Sequence, residues 1–134
     1  MMIKEISLPL EDYTKYKNIS KGMFAISELY LVSLPKFDSK KVFKCNIFLC
    51  EDRQFPTKAK ILGFAISYQF FDFKKYLSLN EEDRKLMVLQ VIHQGMLDIA
   101  ADYNWDKVCI KFEKKYNLFI FQKDRLDSHV DNHV

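Results

Sequence analysis

The chain has 134 residues, enough for one domain and too short for two well-packed ones. Hydrophobic residues make up 49% and aromatics 15%, with three Gly and three Pro, which excludes intrinsic disorder, collagen-like repeats and a loop-rich disulfide scaffold. The formal charge is +3, from 21 Lys and Arg against 18 Asp and Glu; a dedicated nucleic-acid binder carries a larger basic excess, with Arg prominent.

Ile3, Ile6, Leu8 and Leu10 predict a first strand over 3–10, ending near Pro9. Residues 11–20 are polar and lysine-rich, with Tyr13, Tyr16 and Ile19 marking at most a short helix. The apolar run Met23–Leu34, rich in Ile, Leu, Val and Tyr, predicts a second strand that stops at Pro35. Val42–Cys50 predicts a third, with Phe43, Cys45, Ile47 and Leu49 on one face and Lys44, Asn46, Phe48 and Cys50 on the other.

After a loop over Glu51–Lys60, Ile61–Phe73 alternates clearly. Leu62, Phe64, Ile66, Tyr68 and Phe70 form one face; Gly63, Ala65, Ser67 and Gln69 form another that is small rather than charged, so something can lie close against it. From Ser78 the period changes to that of a helix: Leu86, Leu89, Ile92, Met96, Ile99 and Tyr103 predict a long amphipathic helix over 79–103. Two caps compete for its start, Ser78 with Glu81 and Asn80 with Asp83, and Glu81, Glu82 and Asp83 suit the positive end of the helix dipole.

Asn104 breaks the pattern. Trp105, Val108, Cys109, Phe112 and Tyr116 share a helical face over 106–117, although Val108, Ile110 and Phe112 also alternate as a hairpin would. Leu118–Phe121 reads as a last strand or an apolar segment docked on the core, and the polar residues that follow read as a fraying tail over 126–134. The fold class expected is α+β in a single domain over 1–125: an antiparallel sheet in the N-terminal half packed against the long amphipathic helix and a shorter second helix.

Charge is distributed unevenly: residues 1–44 carry +3, 45–78 carry +2, 79–106 carry −4 and 107–134 carry +2. The long helix is thus an acidic element among basic surroundings. Asp98 and Asp102 share a face of it, with Asp106 near its end; such a stripe reads as a solvated surface, or as a docking face for a basic partner. His93 beside the apolar stripe reads as a half-buried structural histidine, since a general base needs an orienting carboxylate and a nucleophile within reach.

Asp127, His129, Asp131 and His133 have metal-ligand chemistry, but a solvated terminus supplies no rigid scaffold for a site. Lys15, Lys17 and Lys21, then Lys36, Lys40, Lys41 and Lys44, form two basic clusters among aromatics, a combination that can bind single-stranded nucleic acid. Core building is the first use for Phe48, Phe64, Phe70, Phe71 and Phe73. Phosphate-cradling glycine loops, metalloprotease motifs and nucleophile elbows are missing from the sequence.

The cysteines, Cys45, Cys50 and Cys109, are odd in number and have no CxxC spacing, while no apolar run is long enough for a membrane helix and the first ten residues have no signal pattern. These features predict a cytoplasmic protein with reduced thiols, and Cys45 and Cys50 fall on opposite strand faces.

The half beginning at Tyr76 carries a set of residues together: Tyr76-Leu77-Ser78-Leu79-Asn80-Glu81-Glu82-Asp83-Arg84-Lys85-Leu86-Met87-Val88-Leu89, then Ile92-His93-Gln94-Gly95-Met96-Leu97, then Tyr103-Asn104-Trp105-Asp106, with Leu34-Pro35-Lys36-Phe37-Asp38 upstream. This half resembles the C-terminal halves of small bacterial immunity proteins of polymorphic toxin systems. The resemblance implies a curved antiparallel sheet with a long helix and a shorter one. It implies a non-enzymatic protein, without cofactor or metal, that neutralises a cognate toxin domain by stoichiometric binding. The contact surface expected is the acidic helix face of Glu82, Asp98 and Asp102. A nucleic-acid-binding module using the lysine clusters and sheet aromatics, and a small enzyme built on His93, are the rival readings.

Overall fold

A computed structural model describes residues 2–10, 13–16 and 18–106. In chain order these form β1 (Glu5–Ser7), α1 (Tyr13–Tyr16), α2 (Ser20–Ser33), β2 (Lys44–Cys50), β3 (Phe64–Phe70), α3 (Phe73–Ser78) and α4 (Glu81–Tyr103). The expected second element at 106–117, the segment at 118–121, the domain limit at 125, the tail with its Asp and His residues, and Cys109 lie outside the described residues.

The largest departure from expectation concerns Met23–Leu34, which is helix α2 rather than a strand. Met23, Ile26, Ser27 and Tyr30 are buried, a spacing of three and four residues that only a helix can turn to one side. Its outer face is also apolar, with Phe24, Leu29 and Val32 exposed, and this masks the period in the sequence. Preference for strand residues yields here to the tertiary contact.

That exchange reverses the sheet. The three strands are ordered β1-β2-β3, and both pairings are parallel, not antiparallel. Had Met23–Leu34 been a strand, short turns could have joined antiparallel neighbours. As a helix it forms the crossover that carries the chain back to start β2 alongside β1. The second return, from Cys50 to Phe64, is made by an irregular segment without a helix. The coarse class stands, strands and helices together, with β2 and β3 within the spans predicted for them and α4 nearly coincident with the predicted helix.

The core lies between one sheet face and the helix pair α2 and α4. Ile6, Cys45, Ile47, Leu49, Ala65 and Ser67 point into it, against Met23, Tyr30, Val88, Ile92, Met96 and Ile99. The small face of β3 is the one beneath α4, as its composition suggested. Gly95 lets the helix approach: a Cβ there would stand 2.6 Å from Ile47 Cγ2. On the opposite face Lys44, Asn46, Phe48, Phe64, Tyr68 and Phe70 are half-buried, and Cys50 and Ile66 are buried. Phe71 and Phe73 do build the core, whereas Phe48, Phe64 and Phe70 line that outer face.

Local chemistry sets the ends of α4. Asn80, in extended conformation, accepts a bond from the Asp83 N–H at 2.8 Å, so the second predicted cap is the one used; Ser78 Oγ donates instead to the Lys75 carbonyl. At the other end Asn104 takes the left-handed conformation (φ 55°), which an Asn tolerates at a helix terminus. Arg84 ties α4 to α3, donating to the carbonyls of Tyr76 and Leu77 and lying over the Tyr76 ring. Phe37 meets Trp105 edge-on at 5.2 Å, joining the Leu34–Asp38 loop to the end of α4.

Candidate functional site

Two of the three residues predicted for partner contact come together around a lysine that the sequence did not single out. Lys58 lies on the irregular segment between β2 and β3. Its Nζ sits 2.6 Å from Asp98 Oδ2 and 2.6 Å from Asp102 Oδ2. Four-residue spacing on α4 puts both carboxylates on one face, one turn apart, so a single ammonium reaches both. Ser67, fully buried on β3, donates to the same Asp98 oxygen at 2.8 Å, and Gln69 Nε2 donates to Ser67 Oγ at 3.0 Å. The cluster therefore fastens the connecting segment, the edge strand and the long helix to one another.

Desolvation lowers the affinity of Lys58 for its proton, but the hydrogen bonds and charges of Asp102 and Asp98 outweigh it and hold the pKa above 10.5. Two carboxylates against one ammonium leave the cluster with a formal charge of −1. Asp98 and Asp102 are thus held in position rather than presented as a bare acidic stripe.

Glu82 stands apart. It is exposed in the first turn of α4, 3.4 Å from Lys85 Nζ, and about 24 Å along the helix from Asp98 at 1.5 Å rise per residue. The three predicted contact residues therefore do not form one compact patch.

Around Lys58 exposed apolar side chains stand among lysines and the two aspartates. Leu62 is 82% exposed, Ile61 50% and Phe55 44%, all on the same connecting segment. Two open cavities flank this segment. One of about 650 Å³ is bordered by Lys58, Ile61, Leu62, Ile66, Asp102 and Tyr103, and one of about 470 Å³ by Phe55, Pro56, Tyr68, Gln94 and Leu97 among others. In the sequence Ile61 and Leu62 read as the start of the strand that in the structure begins at Phe64, and residues 55–60 read as a loop that no local signal distinguishes. Its importance arises from the fold, which lays it beside α4.

The remaining candidates separate. His93 Nδ1 hydrogen-bonds the Tyr30 hydroxyl at 2.9 Å across the α2–α4 contact, in keeping with a half-buried structural role. Lysines of the two basic clusters lie apart: Lys15 pairs with Glu51 just past the end of β2, whereas Lys44 pairs with Glu5 at its start, roughly 23 Å away for a strand of this length. Lys40 donates to the carbonyl of Tyr103 at the α4 terminus.

Cys45 is a free thiol that lies under the helices, where burial pushes its pKa to about 12. Among the described residues no group of three or more His, Cys, Asp or Glu could hold a metal ion, and no helix is long and apolar enough to cross a membrane. No family model, curated protein or solved structure matches this chain.

Proposed function

We propose that this chain is a non-enzymatic binding protein of the immunity type, which stoichiometrically covers a cognate toxin domain in the cytoplasm. The observation carrying the binding surface is the exposed apolar ridge of Phe55, Ile61 and Leu62 beside the Lys58–Asp98–Asp102 cluster. Protein interfaces combine an apolar centre with a polar rim in this way. Large exposed side chains flanked by cavities offer the anchors that dominate binding energy. The clamp ties Lys58, midway along this segment, to α4, which limits the freedom the segment has to lose on binding. The toxin as partner class rests on the sequence resemblance, and the protein in this role needs no cofactor and performs no reaction.

The test is recovery of the tagged protein from its source cells, with the captured partner identified by mass spectrometry and assayed for toxicity with and without the protein. A one-to-one partner whose activity is abolished supports the reading; recovery of nucleic acid alone overturns it. With that partner in hand, Leu62→Glu is expected to weaken binding by about a hundredfold, the scale of a central anchor, and Glu82→Lys by less than about twofold. The opposite order would move the interface to the first turn of α4.

A further inference from the structure

Among the described residues β3 is one of the two edge strands of the sheet, and its alternate residues turn their backbone toward opposite edges. Gly63, Ala65, Ser67, Gln69 and Phe71 face β2: the Gly63 carbonyl accepts from Phe43, and Phe71 N–H donates to Cys50. Phe64, Ile66, Tyr68 and Phe70 therefore face outward. The Phe64 carbonyl is met by the Tyr103 hydroxyl and its N–H by Ile61, but beyond the Ile61–Phe64 bridge no strand pairs with this edge among the described residues. An uncovered edge is a template for further pairing.

The segment before it already has the matching register. Ile61 and Phe64 are an antiparallel bridge around the two-residue turn Leu62-Gly63. Extending that bridge would set Ala59 opposite Ile66, Lys58 opposite Ser67, Thr57 opposite Tyr68 and Phe55 opposite Phe70. The side chains obey this register. Lys58 and Ser67 both bond Asp98 Oδ2, and Phe55 stacks at 6.4 Å on Tyr68, the diagonal neighbour of its predicted partner. Pro56 falls opposite Gln69, a position that pairs no backbone groups, so its missing N–H costs nothing there.

The two flanking cavities mark a gap where the backbones have not joined, and the turn supplies a reason. Leu62 has no positive φ while Gly63 has φ 85°, the pattern of a type II turn, which splays a two-residue hairpin instead of matching its twist.

We propose that residues 55–60 are a strap that closes on β3 as a fourth, antiparallel strand, with Lys58 as its latch and the Leu62-Gly63 turn holding the balance between open and closed. Closing pairs the outward N–H and C=O groups of Ile66, Tyr68 and Phe70 with those of Ala59, Thr57 and Phe55. It turns Phe55 and the apolar ridge with it. Opening returns an unpaired strand edge to the surface.

Amide hydrogen exchange on the full chain, resolved by residue, tests this. In the parent protein the amides of Thr57, Ala59, Ile66, Tyr68 and Phe70 are expected to be protected. Ala59→Pro, which removes a strap donor, is expected to cut the protection of Ile66 and Tyr68 by about tenfold or more, leaving Ala65 and Ser67 protected as a control for the fold. Leu62→Asn creates an Asn-Gly pair suited to a type I′ turn and is expected to raise protection of the same outward amides. Outward amides that exchange as freely as unstructured chain in both the parent and Leu62→Asn would overturn the proposal. So would protection insensitive to Ala59→Pro, or protection that grows with protein concentration, which would assign the edge to a second copy.

Discussion

Lys58 illustrates how a residue without a local signal becomes central. Its folded pKa lies above the ordinary 10.5, so its contribution to stability is present in full below the unfolded value and is lost as the pH rises through the folded one. Comparing the parent with Lys58→Met in urea titrations, the stability difference is expected to persist at neutral pH and to shrink in the alkaline range above 10.5. A difference unchanged at high pH would show that the lysine acts through packing of its stem alone. Cys45 is the reverse case, since the alternation of Val42–Cys50 already set it on one strand face with Phe43, Ile47 and Leu49. Fully buried and with its pKa raised to about 12, it is expected to resist iodoacetamide in the native protein and to react once unfolded, read by peptide mass spectrometry.

Among the elements, α4 was the most legible because its period is long enough to be unambiguous and its caps are chemical. Two caps were open in the sequence, and only the backbone geometry decided between them. Asn80→Ala is expected to cost about 1 kcal/mol of stability, while Ser78→Ala, whose hydroxyl serves the last turn of α3, costs less. Thermal unfolding of the two variants separates them. By contrast α2 was illegible: its buried stripe of Met23, Ile26 and Tyr30 is hidden among exposed Phe24, Leu29 and Val32. Hydrophobic periodicity can be read only where the outer face is polar.

At the scale of the molecule, the helix layer and the sheet meet through the small residues of β3 and through Gly95. Gly95→Ala brings a better helix former but places a methyl 2.6 Å from Ile47, which is fully buried. The clash is expected to outweigh the helix gain, with a net loss of about 1 kcal/mol measured in denaturant. Ile47→Val in the same chain is expected to recover part of it, because residues in contact do not act additively. Full additivity would mean that the helix shifts without pressing on the strand.

The candidate site belongs to this same scale. Asp98 and Asp102 were legible as a pair on one helix face, since i, i+4 spacing is enough to put them there. Their partner Lys58, the bonded Ser67 and the ridge of Phe55, Ile61 and Leu62 were not, because each sits far away in the chain and is brought over by the return from β2 to β3.

What the sequence determined by itself is therefore local and periodic: the long helix, the alternation of β2 and β3, the small face on which α4 rests, and the placement of Cys45 and Cys50 on opposite sides of a strand. Periodicity says which face of a strand is buried but carries no sign for its direction. Whether neighbours run parallel or antiparallel depends on what joins them, and here the joining element was itself settled by packing, as α2 found its helical stripe against β1 and α4. Only the tertiary structure could decide the parallel sheet, and with it the exposed edge of β3 and the clamp that crosses to α4.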